Sequence, residues 1–272
     1  MRHVFAAYVK KLISENKEYA LLLGDISVGL FVQEDDTLPK NIFNIGILEQ
    51  SMVSFSAGLS SGGITPFIHT ISPFIIERAY EQIKLDLLYN KNKVVMVSAN
   101  GPYDYNKLGP THHCASDVPL MDLLNPINIF LPGRTEDVSE CINKAIDSEY
   151  SSYIRLTSKG SSLQNIKANE VYTYQFSSNV LNVVIGESLY YLENKLSSIK
   201  EDWIYIYDTN CLQENIFKGY KQVIFWEPYS KPILALRYKS SIDSSCLIKS
   251  QVYPVSIEFG IYNQPEFIEL EI

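Results

Sequence analysis

The chain has 272 residues, 46% hydrophobic and 20% charged, with a formal net charge of −8. That length and composition suit one large or two modest globular domains, and the acidic balance argues against nonspecific nucleic-acid binding. No apolar run approaches the ~20 residues that span a bilayer, the opening "MRHVFAAYVKKLISENKEYA" lacks a signal-peptide pattern, and four scattered cysteines without C-x-x-C pairing argue against a zinc site or disulfide framework and suit a reducing cytoplasm.

In chain order, "YALLLGD" reads as a short strand ending at Gly24-Asp25, and "NIFNIG" as another. The spacing of Met52, Val53, Phe55, Ala57 and Leu59 predicts a largely buried helix from Glu49 to Ser61, closed by Gly62-Gly63. "TPFIHTI" is a third strand. Residues 74–90 read as one longer amphipathic helix with Ile75, Ile76, Ala79, Ile83, Leu87 and Leu88 inward. "KVVMVSA", "INIFLP" and "SYIRLT" have the β-branched, apolar character of buried parallel strands. The helix between the last two is expected to open on Thr135-Glu136-Asp137, with Thr135 as cap. Residues 159–180 are small and polar, as linkers are. "VLNVVIG", "ESLYYLENKLSSI", "WIYIYD" and "QVIFWE" then resume the alternation as strand, helix, strand and strand. The fold class implied is α/β with two doubly wound domains, over residues 1–160 and 180–272, joined by a linker over 161–179.

Open α/β sheets bind ligands at the carboxyl ends of their strands. Three polar spots fall there: Asp25, the Gly46–Glu49 turn, and the loop from Asn100 to Asp117. Glu49 reads either as an ordinary first-turn helix acid or as a buried acid in need of a partner, because the turn before it and the helix after it are apolar. Asp25 reads equally as a strand-end turn acid. His112 and His113, after Gly109-Pro110, fit a metal pair, a proton relay or a solvated loop, with no third ligand at metal-site spacing.

Three segments in register, "GILEQSMVSFSAGLSSGG", "PFIHTISPF" and "GPTHH", resemble the C-terminal half of transketolase and its relatives, across roughly residues 20–160. "NVVIGES" and "QVIFWEPY" resemble the family's C-terminal domain less closely, and that domain looks truncated. The resemblance implies a thiamine-diphosphate pyrimidine-binding domain followed by a short transketolase C-terminal-like domain. It implies that Glu49 hydrogen-bonds N1′ of the cofactor's aminopyrimidine and favours the protonated ring. Phe74, otherwise an ordinary core Phe, aligns with the aromatic that stacks on that ring. Ile71 and Glu77 stand where the family carries further aromatics, so the pocket is less aromatic than usual. Asp25 falls near the expected thiazolium, and His112 matches the family's substrate histidine. His113 replaces a usual glutamine.

The family also binds Mg²⁺ and the diphosphate through a Gly-Asp-Gly motif followed by Asn, and no Gly-Asp-Gly occurs in this sequence. The chain begins near where the pyrimidine-binding domain of transketolase begins. It is therefore expected to be one subunit of a split, cytoplasmic enzyme that works with a partner carrying the metal-diphosphate site, two copies of each forming the assembly. The implied activity is transfer of a two-carbon ketol unit from a ketose to an aldehyde. The alternatives are a β-subunit of a 2-oxo-acid dehydrogenase and a non-catalytic scaffold. The substrate positions depart from transketolase: Asn100 replaces a histidine, and Leu108 replaces an acid. Ser158 stands nearest a lost arginine, with Arg155 and Lys159 as substitutes for binding a sugar phosphate. These departures fit a specialised carbohydrate pathway with weaker dependence on a terminal phosphate.

Overall fold

The computed structural model describes residues 1–173, 178–196, 198, 200–254 and 266–272. Residues 174–177 of the expected linker, Ser197 and Ile199 of the helix expected over 187–199, and 255–265 near the C-terminus lie outside them.

The first sheet is built from β1 (Tyr19–Leu23), β2 (Ile42–Asn44), β3 (Thr65–Ile71), β4 (Val95–Ala99), β5 (Asn128–Phe130) and β6 (Ser152–Arg155). Its order is β2-β1-β3-β4-β6-β5, and every pairing is parallel. Side chains alternate across it as the pleat requires. Leu21, Leu23, Val95 and Val97 face α1 (Arg2–Glu15) and α6 (Asp137–Asp147). Leu22, Ile68 and Met96 face α2 (Glu49–Ser61) and α3 (Ser72–Ile76) on the other side. The helix α1 buries Phe5, Ala6, Val9 and Ile13 in one stripe. The polar residues that interrupt the N-terminal sequence are thus the solvent face of an amphipathic helix.

The second sheet has the order β12-β11-β10-β8-β9-β7, from β7 (Val171–Tyr172), β8 (Val180–Ile185), β9 (Asp202–Ile206), β10 (Gln222–Glu227), β11 (Leu247–Val252) and β12 (Ile268–Glu271). The inner four strands are parallel and both edge strands antiparallel. The short β7 lies inside the segment read as linker and pairs with β9 through Val171–Ile204 and Tyr172–Trp203. The helices α7 (Ser188–Leu196) and α8 (Ile233–Tyr238) cover this sheet.

Two expectations need correction. Residues 74–90 are not one helix. The short α3 ends at Ile76, and the chain re-enters helix at α4 (Tyr80–Gln82), which continues as a π-helix over Ile83–Tyr89. Glu77 and Arg78 both donate their N–H to the Pro73 carbonyl, at 3.0 and 3.1 Å, which closes the first piece. The inward residues Ile75, Ile76, Ala79, Ile83 and Leu87 stay buried across the break, so apolar spacing could not reveal it. Thr135 does not cap α6, whose N-terminus has no side-chain cap. Asp137 does related work instead: its Oδ2 accepts from Arg134 N at 3.1 Å and from the Tyr205 hydroxyl at 2.6 Å.

That last bond joins the two sheets. Leu131 N donates to Tyr207 O at 2.6 Å and Thr209 N to Ile129 O at 3.2 Å, so the edge of the first sheet is stitched to the chain after β9. Here the backbones approach closely: a Cβ on Gly133 would lie 2.3 Å from the Gly186 carbonyl oxygen. Gly133→Ala should therefore lower stability by about 1–3 kcal/mol in urea unfolding, since backbone blocks the added methyl. Gly58→Ala, in the helix α2 with open space around it, should be neutral or stabilising in the same experiment.

Candidate active site

Glu49 is the first residue of α2 and is 1% exposed. The turn that delivers it depends on Gly46, at φ 79°, a left-handed conformation that glycine adopts without a steric cost. Asn44 at the end of β2 braces this turn. Its Oδ1 accepts from Gly46 N and from Asp25 N, each at 3.1 Å, and its Nδ2 donates to Asp25 Oδ1 at 3.1 Å. Asp25 is itself exposed and reaches the Glu49 turn only through Asn44.

The Glu49 carboxylate is half satisfied. Oε2 accepts from Arg78 Nη1 at 2.7 Å, while Oε1 is buried and has no hydrogen-bond partner among the described residues. A buried acceptor left open costs free energy unless a ligand supplies a donor. Arg78 comes from the helix break, and its side chain is 43% exposed. Its guanidinium lies 4.4 Å from the centroid of the Phe74 ring, a cation–π contact. Phe74 also meets the edge of His112, ring centroids 5.3 Å apart, and His112 meets Tyr105 at 5.9 Å. One continuous cluster therefore runs Glu49, Arg78, Phe74, His112, Tyr105.

The cluster is set by the carboxyl ends of β3 and β4. Ile71, half-buried, ends β3 and passes directly into α3, which carries Phe74. The Ser72 hydroxyl donates to the Asn100 carbonyl at 3.0 Å, tying α3 to the start of the next loop. Asn100 is buried, with φ 73°. His112 stands in a turn where its N–H donates to Gly109 O at 3.0 Å and its Nδ1 lies 2.9 Å from the Thr111 hydroxyl. Partial burial, and then the neighbouring His113, lower its pKa below the usual histidine value, so it is neutral at neutral pH.

Other expected site residues are placed elsewhere. His113 points away from His112. It is buried beside Tyr103, ring centroids 4.9 Å apart, with Nε2 3.3 Å from the Asn106 carbonyl. Lys159 lies over the Tyr190 ring of α7 at 5.5 Å, and Ser158 binds Asp104 through both N–H and hydroxyl at 2.7 Å. Leu108 is exposed, and exposed Glu77 accepts from the Ser116 hydroxyl at 2.6 Å. Arg155 corrects its expected role. It is fully enclosed, donates to Asp117 Oδ1 at 2.8 Å and reaches the Pro228 carbonyl in the second sheet at 2.8 Å. Its guanidinium is committed to the fold and cannot receive a substrate phosphate. Among the described residues no group of three or more His, Cys, Asp or Glu side chains is placed to hold a metal ion, and no helix is long and apolar enough to cross a membrane.

Sequence reasoning missed Arg78, Asn44 and Tyr105. Arg78 had a signal, since it follows Phe74 by four residues and a buried Glu49 calls for a cation. Nothing local marked Asn44 as the brace of a turn.

Residues 1–161 match the family model for the transketolase pyrimidine-binding domain. Two curated relatives are each one of the subunits of an apulose-4-phosphate transketolase. The one from Actinobacillus succinogenes is 36% identical over 129 residues, 47% of this chain and 40% of that protein. The one from Phocaeicola vulgatus is 32% identical over 133 residues, 49% of this chain and 42% of that protein. The aligned region thus spans less than half the length of these curated relatives. A solved structure described as a split gene transketolase, inactive beta4 tetramer, superposes with a TM-score of 0.78 over 97% of this chain and 93% of its own. At 19% identity it shows the fold alone.

The Arg155 correction has a direct test. Arg155→Met removes one partner of a buried ion pair and leaves Asp117 uncompensated. Urea unfolding should show a loss of about 3–5 kcal/mol. Unchanged stability would return Arg155 to the role of a free cation.

Proposed function

This chain belongs to the family of the transketolase pyrimidine-binding domain, and on that premise we propose that it is one subunit of a split thiamine-diphosphate enzyme of transketolase type. The observation that carries the reading is the buried, unpartnered Oε1 of Glu49 beside an aromatic ring. An aminopyrimidine protonated at N1′ offers the N–H that this oxygen lacks, and a flat ring suits the Phe74 face. The residues present therefore fit the group. When bound, thiamine diphosphate supplies the carbanion chemistry by which a two-carbon ketol unit leaves a ketose and joins an aldehyde.

The protein's own part is to position and to hold a proton. Arg78 satisfies Glu49 Oε2 and leaves Oε1 to accept from the ring N–H. The burial of Glu49 keeps water from competing for that bond. Neutral His112, against the edge of Phe74, can donate to or accept from a donor-sugar hydroxyl or carbonyl. Asn44 keeps the Glu49 turn fixed while substrates exchange. Of the two cations in "YIRLTSKG", Lys159 remains for a substrate phosphate once Arg155 is committed to Asp117.

Two features support a partner subunit. The sequence has no Gly-Asp-Gly for a metal-bound diphosphate. Phe43, Ile47, Leu48 and Phe55, all exposed, surround the entry to Glu49 with apolar surface, as an interaction face requires. The partner would bring Mg²⁺ and the diphosphate site, in an assembly of two copies of each subunit in the cytoplasm.

Reconstituted with that partner, Glu49→Gln should lower turnover by about 10²–10⁴-fold with the fold intact, because the amide keeps the shape but loses the charge. Wild-type turnover in this variant would reduce Glu49 to a helix-end acid. Calorimetric titration of the isolated chain with thiamine diphosphate and Mg²⁺ should show no tight binding. Tight binding without a second protein would overturn the split-enzyme reading.

A further inference from the structure

The loop that carries His112 is held at both ends by the second sheet's side of the molecule. Its far end reaches Asp117, at the start of α5 (Asp117–Asp122), and through Arg155 the Pro228 carbonyl. Its near end is Gly101, and there the contact is with Glu187, the residue between β8 and α7. Glu187 is 3% exposed, and a Cβ on Gly101 would fall 2.1 Å from its Oε2, so the carboxyl group lies directly on the loop backbone. Gly101 N also donates to Asp104 Oδ2 at 2.6 Å.

Two acids meet at this point on one hydroxyl. Thr157 Oγ1 lies 3.1 Å from Asp104 Oδ2 and also hydrogen-bonds the Glu187 side chain. A threonine hydroxyl has a single proton to give. Both contacts are satisfied when Glu187 is the neutral acid: its O–H donates to Thr157, and Thr157 donates to Asp104. The ionised form leaves two carboxylates competing for one donor in a dry site.

We propose that Glu187 is a positioning residue, a proton-carrying acid of the second sheet that fixes the Gly101 end of the His112 loop and loosens it on ionising. The charged groups facing it are Arg155 at the end of β6, Asp104 on the loop and Asp117 on α5, while Tyr153 and Tyr253 flank Arg155. Burial pushes the Glu187 carboxyl up from 4.5 to about 8, against the pull of Arg155 and with the push of Asp104. A folded-state pKa above the unfolded one means the neutral form favours the closed loop. That contribution is whole below about pH 4.5 and is lost as pH rises through about 8.

The proposal depends on the thiamine reading only for the task it gives His112, and its test needs neither cofactor nor partner. Hydrogen exchange is followed in the full chain at Cys114 N–H, which donates to Pro102 O at 2.9 Å, and at His112 N–H. After correction for intrinsic rates, the opening constant of the wild type should rise about tenfold per pH unit between about pH 6 and 8. In Glu187→Gln, whose amide does not titrate, it should be flat. A Glu187→Gln slope equal to wild type would overturn the proposal. Should that variant fail to fold, the wild type decides alone: a slope near one proton supports the assignment, and a slope near zero overturns it. A failed Glu49→Gln prediction would leave this outcome untouched.

Discussion

A carboxylate taken out of water has to be answered by donors, and the region around Glu49 is organised by that demand. The Gly46 turn and its Asn44 brace set where the acid stands. The break in the helix after Ile76 sets where the answering cation comes from, because a continuous helix would carry Arg78 along a different line. Helix irregularities of this kind are commonly found at functional sites. One oxygen is satisfied by Arg78 and the other is left open, which makes the site selective for a ligand that donates in the plane of the carboxylate. Phe74 then selects for flatness.

The second sheet contributes no residue to that cluster, yet it determines the loop that faces it. Arg155 and Asp117 form a fully buried pair whose second guanidinium contact is the Pro228 carbonyl across the sheet boundary. Glycines at Gly101 and Gly133 let backbone and carboxyl group approach more closely than any side chain would allow. The stitching of β5 to residues after β9 adds direct backbone bonds. His112 is therefore positioned by contacts from two sheets, while Glu49 is positioned by one.

How much was legible in the sequence follows from how local each feature is. The strands β1, β3, β4 and β8 announce themselves as apolar runs, and α2 as a buried helix between a turn glycine and Gly62-Gly63. The pairing of Glu49 with Phe74 and His112 was readable because three motifs stand in register. Arg155 was misread because its partners, Asp117 and Pro228, are 38 and 73 residues away, and only a packed fold puts a strand-end arginine out of reach of substrate. The break at Glu77–Arg78 was invisible because the inward apolar residues keep helical spacing through it. The two-residue β7 and the antiparallel β12 carry too little periodicity to be read at all. Thr135 obeys the capping rule in sequence, but Asp137, pulled by Arg134 and Tyr205, occupies that helix end instead.

The central claim is that Glu49 Oε1 receives a proton-bearing ring nitrogen. Nitrogen NMR of the complex with its partner subunit, loaded with isotope-labelled thiamine diphosphate, reads that proton directly. The account predicts an N1′ resonance shifted to the protonated position at neutral pH in the wild-type complex, and a return toward the free-cofactor position in Glu49→Gln. An N1′ resonance in the wild-type complex indistinguishable from that of free cofactor at the same pH would contradict it.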